Sequence, residues 1–500
     1  MSSLPYLLYT AEQTRELDRL AIEEHGLSSN ILMERAGEAA FTLLRKHWPD
    51  VRRIAVFCGT GNNGGDGFVL ARLAHENDFE VSVFQVGDSS KLQGDALSAM
   101  QRLLGAGVTP VAFDGQALQN VGLIVDGLLG TGIRGQVSSD YRKAIEAINN
   151  APCPVLALDL PSGLNADTGS VCGIAVQAAC TISFIGLKQG LLTGEAVEYC
   201  GELHFSELSV PRLIYTQQTP VARRLDYTRL KKLLPPRPRH AHKGDAGHVL
   251  VIGGDHGMSG ALRLAGEAAL RAGAGLVSIA TREAHAALVS SGRPELMCHG
   301  VEQAHSLERL VNRATVIVIG PGLGQSDWAE EMLGYVVACG KALVLDADAL
   351  NLMAAGQLPE VMLRGAKRVL TPHPGEAARL LGLDVQQVQA DRFAAANALL
   401  EKYGGICVLK GAGTLVATET GIGVCNAGNP GMASGGMGDV LSGITGALIA
   451  QGLDCSEAAQ LAVCLHAQAA DLAVKTVGER GLIASDLMPV IRRLVNPDLR

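Results

Sequence analysis

The chain has 500 residues, 47% of them hydrophobic and 18% charged, with a net charge of −8. That length exceeds one ordinary core, and the apolar share excludes a disordered chain, so roughly two to four folded domains are expected. The acidic balance, without a basic block, excludes an electrostatic footprint for nucleic acid. Eleven scattered cysteines with no C-x-x-C pair argue against a disulfide framework and against a zinc cluster.

The opening stretch MSSLPYLLYTAEQ has no basic segment followed by an apolar one, so no secretory signal is expected, and a reducing cytoplasm fits the cysteine usage. Helical patterning covers residues 11 to about 26 and then ILMERAGEAAFTLLRKH. Strand-like and helix-like runs alternate from there: IAVFC, DGFVLARLAHE, VSVFQV, GDALSAMQRLL, LIVD, SDYRKAIEAINN, PVLALD. Such alternation predicts a parallel α/β sheet. The uncharged residues 169–187 contain Gly, Ser, Gln, Thr and Cys, which suit a buried strand with its turns better than a membrane span. Residues 210–245 are rich in Pro and Arg and read as a linker with one short helix. Alternation restarts with HVLVIGG and continues through IVIGPG, ALVLDAD, RVLTPH and ICVLKG. The expected organisation is two α/β domains, 1–220 and 225–500.

Parallel sheets bind ligands beyond the carboxyl ends of their strands. Three strand ends in the first half carry GTGNNGGDG, Asp126 with GLLGTGIRG, and Asp159 with LPSG, and so offer Asn62, Asn63, Asp66, Asp126, Asp159 and Ser162. Residues 59–64 spell G-x-G-x-x-G, the pattern of a dinucleotide loop. Asp66, placed at the start of the following helix, would compete with a phosphate for the helix's positive end, or would simply cap it. Converging oxygens beside a carboxylate suit a hard cation such as K⁺ or Mg²⁺.

In the second half Gly435, Gly436 and Gly438 precede Asp439 at a helix start. Successive free amides there would hold a transferring phosphoryl group, and Asp439 would take the proton of an attacking hydroxyl; helix capping is the other reading. No Walker A run occurs. Met432 and Met437 read as packing, and His240 and His242 lack further ligands at metal-binding spacing.

LMERAG, GNNGGDG, VDGLLGTG and LDLPSGLNADTG, occurring in that order, resemble the N-terminal domain of the bifunctional NAD(P)H-hydrate repair enzymes. HKG, GPGLG, DADAL, TPHPGE, KGAGT and GGMGD resemble the family's ADP-dependent NAD(P)HX dehydratase domain, which has a ribokinase-like fold. The resemblance implies a Rossmann-like N-terminal domain that epimerises R- and S-NAD(P)HX, the C6-hydrated forms of NADH and NADPH. It implies contacts to the hydrated dinucleotide from Asn62, Asn63, Gly64, Gly65 and Asp66, from Gly130, Thr131, Gly132, Ile133, Arg134, Gly135 and Gln136, and from Asp159. K⁺ would sit on Asn63, Asp126 and Ser162. Asp159 is the candidate acid–base group, unless it only caps the PSG turn; Lys188 would support it or neutralise a substrate phosphate, unless it is a solvated charge. In the dehydratase domain ADP would lie on Lys410, Gly411, Ala412, Gly413, Thr414 and Gly438. The hydrated dinucleotide would meet Ala261, Gly322, His373 and Asp439, and Glu376 would place Mg²⁺ through water. His373 could equally be a packed turn histidine, and Asp346 and Asp348 divide between site edge and helix cap. A homo-oligomer without membrane or nucleic-acid partners is the implied setting. Two alternatives remain: a ribokinase-like kinase for a small alcohol with a regulatory N-terminal domain, and an N-terminal half serving only as scaffold.

Overall fold

The computed structural model describes residues 4–115, 118, 120–133, 135–356 and 364–496. The chain divides into two compact units, Met1–Arg223 and Arg224–Arg500. In the first, the strands are β1 (Leu7–Leu8), β2 (Arg53–Cys58), β3 (Glu80–Gln85), β4 (Val111–Ala112), β5 (Leu123–Gly127), β6 (Val155–Leu158), β7 (Cys180–Phe184) and β8 (Glu202–Ser206). Seven of them form a sheet of order β4-β3-β2-β5-β6-β7-β8, and every neighbouring pair is parallel. Because helices cover both faces, the central strands are buried throughout rather than alternating with polar residues. Ile54 and Val56 pack with the helices Ala11–Glu23 and Ser29–His47, while Ala55 and Phe57 pack with Ile145 and Ile148 on the opposite face.

The chain leaves β2 toward β3 on one side and returns to β5 on the other, so the strand order reverses at β2 and β5. A crevice opens at such a point. Its floor depends on glycine: a Cβ on Gly59 would stand 1.8 Å from Leu128 O, so only glycine lets the two strand-end loops touch.

In the second unit the strands are β10 (His248–Ile252), β11 (Leu276–Thr281), β12 (Met297–Gly300), β13 (Val316–Ile319), β14 (Ala342–Leu345), β15 (Arg368–Leu370), β16 (Ile406–Leu409), β17 (Thr414–Thr418) and β18 (Gly421–Cys425); the short strand β9 (Ala222–Arg224) precedes them, and its Ala222 and Arg223 pair antiparallel with β1 inside the first unit. From β12 the order is β12-β11-β10-β13-β14-β15-β16 with parallel pairing, and an antiparallel β17-β18 pair follows. The helix Met437–Ala450 lies deep in this unit's core. Its small residues permit the approach: a Cβ on Gly443 would come within 2.1 Å of Ala265 O, and one on Gly446 within 2.6 Å of Val318 Cγ2. Helix and sheet are thus fixed against each other, which holds the helix's N-terminus rigidly over the strand ends.

Several elements differ from the sequence expectation. Residues 210–245 carry more regular structure than one helix, with short helices Ile214–Gln217 and Tyr227–Leu230 and the strand β9. The strands β8, β11, β12 and the β17-β18 pair were not anticipated. The glycine-rich loop itself is helical, because the helix Asn62–Glu76 begins inside GNNGGDG.

Candidate active sites

A cavity of about 510 Å³ lies beyond the carboxyl ends of the first sheet. Asn62, Asn63 and Asp66 line it from the helix Asn62–Glu76, and Gly130, Thr131, Gly132 and Ile133 from the loop after β5. Asp159 and Lys188 close another side. Asp159 follows β6 with φ +64°, a left-handed conformation that costs a non-glycine residue energy and is tolerated where the surroundings fix it. Lys188 fixes it: its ammonium, only 1% exposed, donates to the Asp159 carboxylate, to Ser183 Oγ at 3.2 Å and to Phe184 O at 3.2 Å. A buried and fully engaged ammonium is a partner for Asp159, not a solvated charge.

Two more carboxylates face this pair. Burial pushes Asp66 well above the ordinary range, with the charges of Asp159 and Asp18 adding to the effect. Asp18 is pushed up to about 7, mainly by burial, with Lys188 opposing and Asp159 reinforcing. One lysine among three carboxylates cannot hold all of them ionised, so the site carries protons near neutral pH. Asp18 was not singled out from the sequence. The helix Ala11–Glu23 presents it, starting at Thr10, whose hydroxyl accepts from Gln13 N while Gln13 Oε1 accepts from Thr10 N.

Beneath the cavity Asp126 is wholly buried. Its Oδ1 accepts from Ser162 Oγ at 2.6 Å and Leu128 N at 3.1 Å, and its Oδ2 from Ser162 N at 2.8 Å. Burial nevertheless pushes it up to about 6, the hydrogen bonds opposing. Asn63 donates to Leu129 O at 3.0 Å, which leaves its buried Oδ1 without a hydrogen-bond partner. Asn63, Ser162 and Asp126, linked through Leu129, offer oxygens of the kind a hard cation takes.

In the second unit the N-terminus of the helix Met437–Ala450 is capped by Gly436 at φ +89°. Asp439 stands in its first turn. Asp346 lies opposite, 1% exposed, accepting from Lys410 Nζ at 2.9 Å, Thr371 Oγ1 at 2.7 Å and Ser442 Oγ at 2.6 Å. Burial works to raise Asp346, but Lys410 and these hydrogen bonds hold it below the usual carboxylate range. Lys410 Nζ also lies 3.8 Å from Glu376 Oε2. Asp439 is pushed up to about 7, first by burial and then by Asp346, with Lys410 opposing. A Cβ on Gly438 would stand 3.3 Å from Lys410 Nζ, so the glycine keeps the helix end open beside the lysine. Carboxylates outnumber the lysine here, and Glu376 and Asp439 are oxygen donors of the kind Mg²⁺ takes.

The family models match this division. Residues 29–190 match the model of the YjeF-related protein N-terminus, and residues 249–493 that of NAD(P)H-hydrate dehydratase. The chain is 51% identical to the bifunctional NAD(P)H-hydrate repair enzyme Nnr of Coxiella burnetii, covering 98% of this chain and 100% of that one. The chain belongs to the bifunctional NAD(P)H-hydrate repair enzymes. The relative of that name from Escherichia coli is 45% identical, with 99% and 95% covered. A crystal structure of a ribokinase-like superfamily protein from Enterococcus faecalis superposes with a TM-score of 0.51 at 31% identity, covering 55% of this chain and 95% of its own. The second unit therefore has the ribokinase-like fold, and membership makes the chain a two-activity repair enzyme, with the epimerase in the first unit and the dehydratase in the second. Among the described residues no helix is long and apolar enough to cross a membrane.

Against this family background the expected site residues fall into groups. Asp66 does not start or cap its helix; Gly61 is the cap and Asn62 the first residue, so Asp66 lies a full turn in and turns its carboxylate to the cavity. The supposed competition with a phosphate at the helix's positive end therefore does not arise. Gly64 and Gly65 lie under the cavity wall, packed against Gly59 O and Met33. Gly135 and Gln136 do not line the cavity, Gln136 being turned toward Gly173. Arg134 lies outside the described residues. Ala261 and Gly322 are neighbours, a Cβ on Gly322 standing 3.3 Å from that of Ala261. His373 caps its own helix, Nδ1 accepting from Gly375 N at 3.0 Å and Glu376 N at 3.3 Å, while its half-exposed ring keeps the other nitrogen within 3.3 Å of Glu376 Oε1. Asp346 is the centre of its cluster rather than an edge, and Asp348 ties down the GPGLG loop through Gly324 N at 2.9 Å. Gly411, Ala412 and Gly413 turn between β16 and β17, next to Lys410, and Thr414 opens β17. His466 carries no signal in its local sequence, yet its buried ring lies near enough to Lys410 to be driven down to about 4 by burial and by that charge.

Proposed function

We propose that the first unit interconverts R- and S-NAD(P)HX and that the second dehydrates the S form with ADP, releasing AMP and phosphate. The observation that carries the reading is the place of Asp439, in the first turn of a glycine-capped helix beside a lysine held by Asp346, where burial and Asp346 push its carboxyl up to about 7. A base matched to neutral pH can take the proton of the C6 hydroxyl as its oxygen attacks the β-phosphorus of ADP. The bond to the AMP oxygen breaks, and amides at the helix end receive the charge of the transferring group. The C6–O bond then breaks with its electron pair leaving on phosphate, and loss of the C5 proton restores the ring double bond. Phosphorylation is needed because hydroxide is a poor leaving group.

Lys410 and Gly438, with the turn Gly411, Ala412, Gly413 and Thr414, would hold the nucleotide. Ala261, Gly322 and His373 would hold the hydrated ring beside Asp439. Mg²⁺, held through water by Glu376, would neutralise the phosphates when bound. In the first unit Asp159, positioned by Lys188, would exchange the proton that epimerisation at C6 requires, with Asn62, Asn63, Asp66 and residues 130–133 around the dinucleotide. K⁺ on Asn63, Asp126 and Ser162 would stiffen the cavity floor. A cytoplasmic homo-oligomer is the setting this reading implies.

The test is to mix purified protein with both hydrate epimers and either ADP or ATP, following the reduced-nicotinamide absorbance and the nucleotide products. Complete recovery with AMP and phosphate is expected. A stable phosphorylated product and a requirement for ATP would instead establish a small-alcohol kinase.

A further inference from the structure

Away from both sites, four side chains of metal-ligating type converge at the edge of the first sheet. His47 ends the helix Ser29–His47, Cys180 opens β7, and Glu202 and His204 lie on β8, the edge strand. Register explains the meeting. Cys180 pairs with Glu202 across the parallel ladder, and His204, two residues on, shares the face of Glu202. The ligating atoms of His47, Cys180 and His204 all lie within 4.8 Å of one another. Glu202 adds a carboxylate, 3.2 Å from His204 Nε2 and 4.0 Å from His47 Nδ1. The imidazoles meet edge to face with centroids 4.8 Å apart. His204 Nε2 is buried and faces Glu202 at 3.2 Å without a well-formed hydrogen bond, so its lone pair points into the cluster.

We propose that His47, Cys180, His204 and Glu202 form a tetrahedral site for a borderline-soft divalent ion of the Zn²⁺ class. Two imidazoles and a thiolate select such an ion over Mg²⁺ or Ca²⁺. Ligand bonds of about 2.0–2.3 Å put tetrahedral ligand atoms roughly 3.3–3.8 Å apart, so the observed set needs only a small inward rotation of side chains. Coordination displaces the Cys180 thiol proton to solvent. The carbonyl end of the helix Ser29–His47 also favours a cation there. Cys180 stands at the first residue of β7, about 13 Å along the strand from the end that faces the catalytic cavity, by the rise of an extended chain. The ion is therefore a staple between helix and edge strand rather than part of the chemistry. Spacing alone could not reveal it, because its ligands come from three separate elements.

The experiment uses untagged, chelator-stripped full-length protein titrated with Co²⁺. One ion per chain is expected, with thiolate-to-cobalt charge-transfer absorption in the near ultraviolet that Zn²⁺ bleaches. Cys180→Ala should remove that absorption, and His47→Gln and His204→Gln should each weaken Co²⁺ binding by at least about tenfold. His47→Gln lies at a helix end and should leave epimerisation unchanged, so it serves even if Cys180→Ala folds poorly. Absence of the charge-transfer band, its persistence in Cys180→Ala, or unaltered affinity in His47→Gln would overturn the assignment.

Discussion

Lys410→Met keeps the length of the side chain and removes its charge. It leaves Asp346, 1% exposed, with hydrogen bonds from Thr371 and Ser442 but without its cation. Breaking a buried pair by deleting one partner costs about 3–5 kcal/mol. For a domain of a few hundred residues each kcal/mol shifts the midpoint by about 2–4 °C, so the second unit should melt on the order of 6–20 °C lower. The pH dependence gives a second handle. In the unaltered protein Asp346 lies below its ordinary value, so its contribution is present above the unfolded carboxylate pKa of about 3.9 and is lost as pH falls below it. In the variant its pKa rises, protonation relieves the unpaired charge, and the stability gap should narrow as pH is lowered from about 8 to about 5. Lys410 also pulls Asp439 down, so its loss should move Asp439 above about 7 and shift the rise of residual dehydration to higher pH. Calorimetry across that pH range and the pH profile of dehydration are the assays, with epimerisation as internal control. A midpoint within about 2 °C of the unaltered protein, together with an unmoved pH profile, would show that Lys410 neither stabilises Asp346 nor tunes Asp439.

Three further outcomes are expected. Asp18→Asn removes a carboxylate at about 7 beside Lys188 and Asp159, so the pH profile of epimerisation should lose its limb near neutrality while dehydration is untouched; an unchanged profile would remove Asp18 from the site. Asn63→Leu deletes the orphaned oxygen, so any stimulation of epimerisation by KCl over NaCl should vanish, and stimulation that survives would place the cation elsewhere. Gly59→Ala would put a Cβ 1.8 Å from Leu128 O, and should destabilise the first unit by about 1–3 kcal/mol with loss of epimerisation, as followed by thermal melting and activity; a fully stable and active variant would show that the two loops separate freely.

Much of the architecture was legible because parallel strands buried on both faces read as continuous apolar runs, and their ends carried the glycine and carboxylate punctuation of the sites. The misses have physical reasons. Asp66 was misplaced because glycines are poor helix formers and concealed the first turn of its helix. Asp18 sits among charged neighbours on an amphipathic helix, where an aspartate looks solvated until the fold brings Lys188 to it. The role of Lys188 was ambiguous because local sequence carries no sign of burial. Asp346 looked peripheral because its partners Lys410, Thr371 and Ser442 come from separate elements. The edge strand β8 escaped because its five residues are only partly buried and alternate weakly.

On the proposed reading, two separate carboxylates serve two separate reactions on one hydrated substrate. The most direct measurement resolves the R and S hydrates chromatographically over time, with ADP present, in the unaltered protein, Asp439→Asn and Asp159→Asn. The unaltered protein should consume both forms. Asp439→Asn should consume neither while still exchanging them, and Asp159→Asn should consume the S form and leave the R form behind. Simultaneous loss of exchange and consumption in a folded single variant would show that the two reactions share one site.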